Sequence, residues 1–430
     1  MLKKFFGKSA MVKNTYVLVQ GTVLAQLITI LMQPVLRRMF TTEDFGIFAL
    51  YSSAIGILAV AATGRYEMAI VLPKEEKQAA ALFRLSVIIS LFFNVVLLLL
   101  ALLFGHHLVQ VIVDSGKVDI QELTHPEFLM YAFYLVPAGV FVMALISTYN
   151  YLLTRQKAYK SLSYGRIVQT GTANASQFGM GLSGLGFMGL LYGQLIGLTL
   201  SVVYWAKTKL PTPALEKSDL RETLRVYRDF PYKSVPSGLV NMLALQLPNL
   251  LLFSFFGAGV LGLFDAITKV LNLPLQMIGR SISQVFYQKI SDDLNNNRPV
   301  GKFVRKFSLQ LFLLMLGPMA VIFFFGEPLF GWFFGEPYAV AGKLAGWFSI
   351  FFLVRFVYYA QSTLFSATRQ IGIEFRQNLF FLVAQLAALL VGHYHYHDFE
   401  ITFMLLALSG FLCYTIFVIS LIRQADKTGK

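Results

Sequence analysis

Apolar runs of membrane-spanning length alternate with short polar connections along almost the whole chain. By hydropathy they predict twelve spans, near 14–36, 45–71, 81–104, 127–153, 164–182, 187–206, 234–256, 259–288, 304–326, 338–366, 375–392 and 400–422. These lengths lie close to or above the roughly 20 residues that cross a bilayer as a helix. The N-terminal stretch MLKKFFGKSAMVKNTYVLVQ sets basic residues ahead of an apolar run that continues to Leu36. No A-x-A-like cleavage site follows, so it reads as a retained first span and not as a removed signal peptide. One polar segment of size, 207–233, divides the spans six and six. The expected organisation is an N-terminal lobe at 1–206, a cytoplasmic linker at 207–233 and a C-terminal lobe at 234–430. Within the linker, Leu215, Leu220, Leu224 and Tyr227 fall near helical spacing opposite charges. That fits a short amphipathic helix on the membrane surface, and a plain solvated connector fits the same residues.

Two of the spans look like copies of one another. Phe45–Pro73 reads FGIFALYSSAIGILAVAATGRYEMAIVLP, and Leu261–Ile290 reads LGLFDAITKVLNLPLQMIGRSISQVFYQKI. A G-x-F opens each (Gly46, Ile47, Phe48; Gly262, Leu263, Phe264), and a Gly-Arg pair closes each (Gly64-Arg65; Gly279-Arg280). The Gly-to-Gly spacing is 18 in the first and 17 in the second. Two related halves, each with a charged span, are the pattern of a transporter built on repeats.

Composition excludes a soluble protein. The 430 residues are 56% hydrophobic and 13% charged, against about 25% charged in a soluble domain. The net charge of +14 points to basic cytoplasmic loops, not to nucleic acid. Connections on one side of the predicted spans carry 27 basic residues, from Lys3, Lys4 and Lys8 through Arg369 to Lys430. Those on the other side carry Arg37, Arg38, Lys117 and Lys343. The positive-inside rule then puts both termini in the cytoplasm. The single cysteine, Cys413, lies in an apolar span and excludes a disulfide framework or a thiolate metal site.

Chemistry in such a chain is sought among ionisable groups inside spans, each costing at least about 2.5–3.5 kcal/mol to insert. These are Arg65 and Glu67, Asp265 and Lys269, Arg280, and Arg355. Asp265 and Lys269 stand four apart on one helix and can pair with each other. Lys269 comes out about 15 Å deep at 1.5 Å per residue, near the bilayer midplane; Arg355 lies at similar or greater depth. Arg65 and Arg280 lie nearer the cytoplasmic end, where a long side chain can snorkel to the headgroups. Glu67 and Asp265 are candidates for a coupling ion or for simple ion-pair partners. Four cations against two acids suit an anionic headgroup, with arginine best for phosphate oxygens. The His393, His395, His397 run alternates in a predicted outer loop and reads as an interfacial aromatic belt with polar tips, not as a metal site. Tyr358 and Tyr359 suit sugar stacking or helix packing equally. No Walker motif and no large outer loop is present, which argues against ATP hydrolysis and against a lipid-linked glycosyltransferase or polymerase. No cofactor is expected, and an enzymatic function is not expected either.

TTEDFGIFALYSSAIGIL, GRYEMAIVLPKEEKQA and GLFDAITKVLNLPLQMIGRSISQVFYQKIS resemble the Wzx-type polysaccharide (O-antigen) flippases. These belong to the multidrug/oligosaccharidyl-lipid/polysaccharide exporter superfamily. The resemblance spans essentially the whole chain. It implies an all-α polytopic membrane protein, with about twelve helices in two six-helix lobes around a central cavity that opens alternately to each side. It implies translocation of undecaprenyl-pyrophosphate-linked oligosaccharide from the cytoplasmic to the outer leaflet of the bacterial inner membrane, for lipopolysaccharide or another surface glycan. Membrane lipids and other polysaccharide-assembly proteins are the implied partners. Cationic cavity residues would hold the pyrophosphate and glycan; here Arg65, Lys269, Arg280 and Arg355 are placed to do so. A multidrug/cation antiporter of the same architecture, a membrane glycan polymerase and a peptidoglycan-precursor flippase remain as alternatives.

Overall fold

The computed structural model describes residues 10–118, 129–207, 217–296, 298–368 and 370–428, which are helical nearly throughout, with no strand among them. The helices are α1 (Ala10–Met39), α2 (Thr42–Ala62), α3 (Tyr66–Ala69), α4 (Glu76–Asp114), α5 (Leu129–Arg155), α6 (Tyr159–Leu182), α7 (Phe187–Ala206) and α8 (Lys217–Val226). They continue with α9 (Val235–Phe256), α10 (Ala258–Pro274), α11 (Arg280–Asn295), α12 (Gly301–Phe334), α13 (Ala339–Gln361), α14 (Thr363–Ala367), α15 (Ile371–Val391) and α16 (Phe399–Lys427). Nine of the twelve predicted spans fall on one helix each; the second falls on α2 and α3, the eighth on α10 and α11 joined by a π-helical turn at Leu275–Gly279, and the tenth on α13 and α14. Among the described residues, ten helical stretches are long and apolar enough to cross a membrane. Lys3, Lys4, Lys8, Leu215, Arg369 and Lys430 lie outside the described residues.

Helices run longer than the hydropathy predicts. α4 has 39 residues, about 58 Å at 1.5 Å per residue, against a hydrocarbon core of about 30 Å. It carries His106 and His107, expected in a loop, on a further helical turn, because HHLVQVIV holds no helix breaker. The HYHYH run is likewise not a loop. It forms a π-helical turn at Gly392–Tyr396, with His393 stacked flat on Phe255 at 4.1 Å.

Contacts divide the chain into two compact units, one of Met1–Phe253 with Gly257–Gly259 and the other of Ser254–Phe256 with Val260–Lys430. In the first, α6 is the polar helix, carrying Gln169, Thr170, Thr172, Asn174 and Gln177. It is stable in a membrane setting because small residues let neighbours close on it. Gly193 and Gly197 of α7 face Ala173 and Gln177, Gly21 of α1 faces Ser163, and Gly165 meets the ring of Trp205. Its amides are satisfied internally: Gln177 Nε2 donates to the Leu190 carbonyl at 3.0 Å, and Asn174 Nδ2 to that of Thr170 at 2.8 Å.

α9 is bound into the same unit by a polar network. Asn249 Nδ2 donates to Ser53 Oγ at 3.0 Å and to Gln246 Oε1 at 2.9 Å, and Ser53 Oγ lies 3.0 Å from the same Gln246 oxygen. Ser53 and Gln246 sit near the middle of α2 and α9. Satisfied hydrogen bonds at that depth hold two apolar helices together where burial alone supplies little force.

In the second unit, α12 and α13 approach closely where Gly326 and Gly342 each stand against the other's carbonyl. Its core carries a chain of packed aromatic rings. Phe264, Phe348 and Phe403 meet edge to face at 5.5–6.1 Å, and Phe351, Tyr358, Tyr414 and Phe417 continue the stack. Buried polar pairs lie within it, among them Ser308 with Gln361, whose Nε2 donates to Ser308 Oγ at 2.9 Å.

Candidate functional site

In the first unit the charged residues sit on an elbow. α2 ends at Ala62, and Gly64 and Arg65 both take φ of 61°. Glycine adopts that left-handed conformation freely, whereas a side chain there costs about 1–3 kcal/mol. The chain then re-enters a helix as α3. Thr63 spans the break: its Oγ1 donates to Glu67 Oε2 and accepts from the Arg65 amide at 3.3 Å. Glu67 is buried, with Oε1 at 4.0 Å from Arg65 Nη1. The guanidinium also reaches Met68 Sδ at 3.7 Å and lies against Gly238 at the start of α9.

The elbow is fastened from below. Tyr66, Ala69 and Ile70 pack with Leu82 and Leu85 of α4 and Leu152 of α5, and Leu220, Tyr227 and Phe230 of the linker close over them. Arg155, at the end of α5, donates to the carbonyls of Pro73 at 2.6 Å and Ile70 at 3.2 Å, and to Glu76 Oε1 at 3.1 Å. The linker therefore does contain a helix, α8, but its inward face is Leu220, Thr223 and Tyr227; Leu224, expected on the apolar face, is exposed. Leu224 stands about 100° round the helix from the buried Thr223 and about 60° from Tyr227, which leaves it outside the packed face.

In the second unit, Asp265 and Lys269 form an ion pair at 2.9 Å on α10. Pro274 ends that helix, and the π-helical turn that follows carries the chain to Gly279. Gly279 packs on Phe356 and Tyr359 of α13, and Arg280 opens α11 with its side chain exposed. Arg355 lies one turn before Tyr359 on α13. Its guanidinium stands over Phe352 at 5.0 Å, Phe351 at 5.6 Å and Tyr414 at 6.0 Å. Among the described residues, neither Arg280 nor Arg355 has a carboxylate at ion-pair distance. Tyr358 is buried in helix packing, its hydroxyl donating to Gln377 Oε1 at 2.8 Å, while Tyr359 is exposed.

The two Gly-Arg pairs thus share a spacing and not a backbone. Gly64 is left-handed and Gly279, at φ −59°, is helical, yet both mark a helix irregularity. Both acids are engaged with a neighbouring cation. Residues that the sequence reading did not single out are Arg155, the Ser53–Gln246–Asn249 network, and Asp44. Gln246 and Asn249 were visible as two amides three apart in an apolar span; Arg155 passed for one loop charge among many. Among the described residues no three His, Cys, Asp or Glu side chains are grouped to hold a metal ion.

Comparison with known proteins follows the same line. Similar solved structures include an inward-facing multidrug resistance MATE family transporter of the MOP superfamily (15% identity, 95% of each chain, TM-score 0.69). Another is the lipid II flippase MurJ in an inward closed conformation (12% identity, 96% of this chain and 90% of that one, TM-score 0.71). A third is a MOP superfamily transporter from Pyrococcus furiosus described by the reverse polarity of its binding pocket (15% identity, 98% and 96%, TM-score 0.55). At these identities the likeness shows the fold alone, the MOP fold. No curated protein sequence matches the chain. A profile described as polysaccharide biosynthesis protein matches residues 35–342, a stretch that holds Arg65, Glu67, Asp265, Lys269 and Arg280 and stops short of Arg355. That match covers most of a helical, multi-pass membrane chain, and the chain accordingly belongs to the polysaccharide biosynthesis protein family.

Proposed function

We propose that the protein is a flippase that moves undecaprenyl-pyrophosphate-linked oligosaccharide repeat units from the cytoplasmic to the outer leaflet of a bacterial inner membrane by alternating access. The units serve O-antigen or another surface glycan. The observation that carries this is the pair Arg280 and Arg355. Arginines kept in membrane-spanning helices without a carboxylate partner are costly unless they meet an anion. Arg355, set among aromatic rings, carries a planar fork suited to phosphate oxygens. Arg65 and Lys269 add positive charge, tempered by Glu67 and Asp265. The excess of basic residues on one set of connections places both termini in the cytoplasm, and an even number of spans agrees with that. The multidrug antiporter reading is weaker: a cationic drug wants acid groups to spare, and Glu67 and Asp265 are both engaged.

The test is the sidedness of lipid-linked repeat units in membranes of a deletion strain. Accumulation of undecaprenyl-pyrophosphate oligosaccharide on the cytoplasmic leaflet, reversed by the wild-type gene and not by an Arg355→Ala copy present at equal level, is the expected result. Normal sidedness with unpolymerised glycan outside contradicts the reading and points to a polymerase. Altered drug tolerance with normal glycan contradicts it in favour of the antiporter.

A further inference from the structure

The linker helix α8 has a second face that the elbow does not use. Its inward side, Leu220, Thr223 and Tyr227, packs toward α4 and α3. On the far side Arg221 and Arg225 of α8 and Arg228 in the turn that continues it follow one another at i, i+4 and i+7, one stripe at 3.6 residues per turn. All three are exposed, and among the described residues none has a carboxylate at ion-pair distance. Of the neighbouring acids, Asp219 pairs with Lys77 at 2.9 Å and Asp229 with Lys233 at 2.7 Å, while Glu222, exposed beside Arg221, is at ion-pair distance from none of the three arginines.

Exposed apolar side chains lie beside the stripe, Leu224 at 42% on its flank and Tyr232 at 78% just beyond the helix. Arginines beside leucine and tyrosine do not suit a face turned wholly to water. They suit the depth where acyl chains give way to headgroups. The chain itself sets that depth. Tyr232 and Lys233 lie in the π-helical turn Phe230–Ser234 that leads straight into the apolar stretch Phe230–Phe256, so α8 lies within two turns of a membrane surface. Tyrosine is the residue that membrane interfaces favour.

We infer that the Arg221–Arg225–Arg228 stripe along α8 and the turn after it is a binding site for the phosphate headgroups of anionic lipids in the leaflet where α9 begins. That this leaflet is the cytoplasmic one rests on the orientation proposed above; the site itself does not. The other face of the same helix packs on the core cluster that also holds Tyr66 and Ile70, so lipid held on the stripe bears on the support of the elbow that positions Arg65.

The test uses the full chain in lipid nanodiscs with Leu224→Trp as a local reporter, read against the parent and its three tryptophans. Brominated phosphatidylglycerol and brominated phosphatidylcholine are compared as quenchers. The added tryptophan is expected to be quenched by both, with a preference for phosphatidylglycerol. Each of Arg221→Gln, Arg225→Gln and Arg228→Gln is expected to lower that preference about fivefold, from about 1 kcal/mol per basic residue near a lipid surface. In the reporter protein with all three arginines intact, raising salt toward 1 M is expected to erase the preference, which needs no further variant. Equal quenching by the two headgroups overturns the inference. So does the absence of quenching by either, which would turn the stripe toward water and make an acidic protein surface its partner. Loss of glycan export in the deletion strain tests the flippase reading separately and is indifferent to this outcome.

Discussion

The guanidinium of Arg65 fills the space that a side chain on Gly238 would need. The two residues lie 173 apart in the chain, on the α2–α3 elbow and at the start of α9. Gly238→Val is therefore expected to displace the arginine and to reduce glycan export as far as Arg65→Ala does. Because both changes remove the same arrangement, the double variant is expected to be no worse than either single one. Surface glycan measured at matched protein levels checks this; additive losses would show that the two act apart.

Arg155 holds the segment after the elbow by its carbonyls. Arg155→Ala removes bonds to Ile70, Pro73 and Glu76 and leaves half-buried carbonyls unmet. A loss of about 2–4 kcal/mol in unfolding free energy is expected, since hydrogen bonds to a charged donor contribute roughly 1.5–3 kcal/mol each and only part is recovered by water. Arg155→Lys is expected to fall between, because an ammonium lacks the fork that reaches several acceptors. Thermal unfolding of the purified protein in neutral detergent reads both.

Asp44 caps two helices at once. Its Oδ2 accepts from the Thr41 amide at 3.0 Å, closing a capping box on α2, and its Oδ1 accepts from the Phe187 amide at 3.0 Å at the start of α7. Asp44→Asn keeps one acceptor oxygen and is expected to cost about 1–2 kcal/mol. Asp44→Ala loses both and is expected to cost about 2–4 kcal/mol. The ordering of the melting temperatures, wild type above Asn above Ala, is the check.

Hydropathy found the helices because each span must satisfy its backbone internally, and that requirement is written in long apolar runs. It found the helix ends poorly: α4 continues past the predicted end at residue 104 to Asp114 because nothing in HHLVQVIV stops a helix. The charged candidates were legible for the reason that makes them expensive; Arg65, Lys269, Arg280 and Arg355 stand out against leucine and phenylalanine. Their partners were legible only where they are near in sequence. Asp265 with Lys269 is an i, i+4 pair, whereas Arg65 with Gly238 and Arg155 with Pro73 depend on which helices pack together. Nor did the shared Gly-Arg spacing carry the backbone: the elbow at Gly64 and the π-helical turn before Gly279 are two different ways of interrupting a helix, and tertiary packing chose between them.

Arg355 separates charge from shape. Arg355→Met fills its place among Phe351, Phe352 and Tyr414 without charge and is expected to abolish export while leaving thermal stability equal or higher, since a charge in a membrane span is removed. Arg355→Lys keeps the charge but not the planar, forked donors, and is expected to retain a minor fraction of export. Equal export by Lys and Arg would show that charge alone is used.

Passage of a pyrophosphate-linked glycan lipid across the bilayer is the proposed activity. The most direct measurement is leaflet exchange in proteoliposomes holding purified protein and undecaprenyl-pyrophosphate oligosaccharide, with a membrane-impermeant glycosidase added outside. With the wild-type chain the whole pool is predicted to become cleavable. With Arg280→Ala/Arg355→Ala, or in protein-free vesicles, cleavage is predicted to stop at the outer-leaflet pool. Cleavage that stops there with the wild-type chain as well would contradict the account.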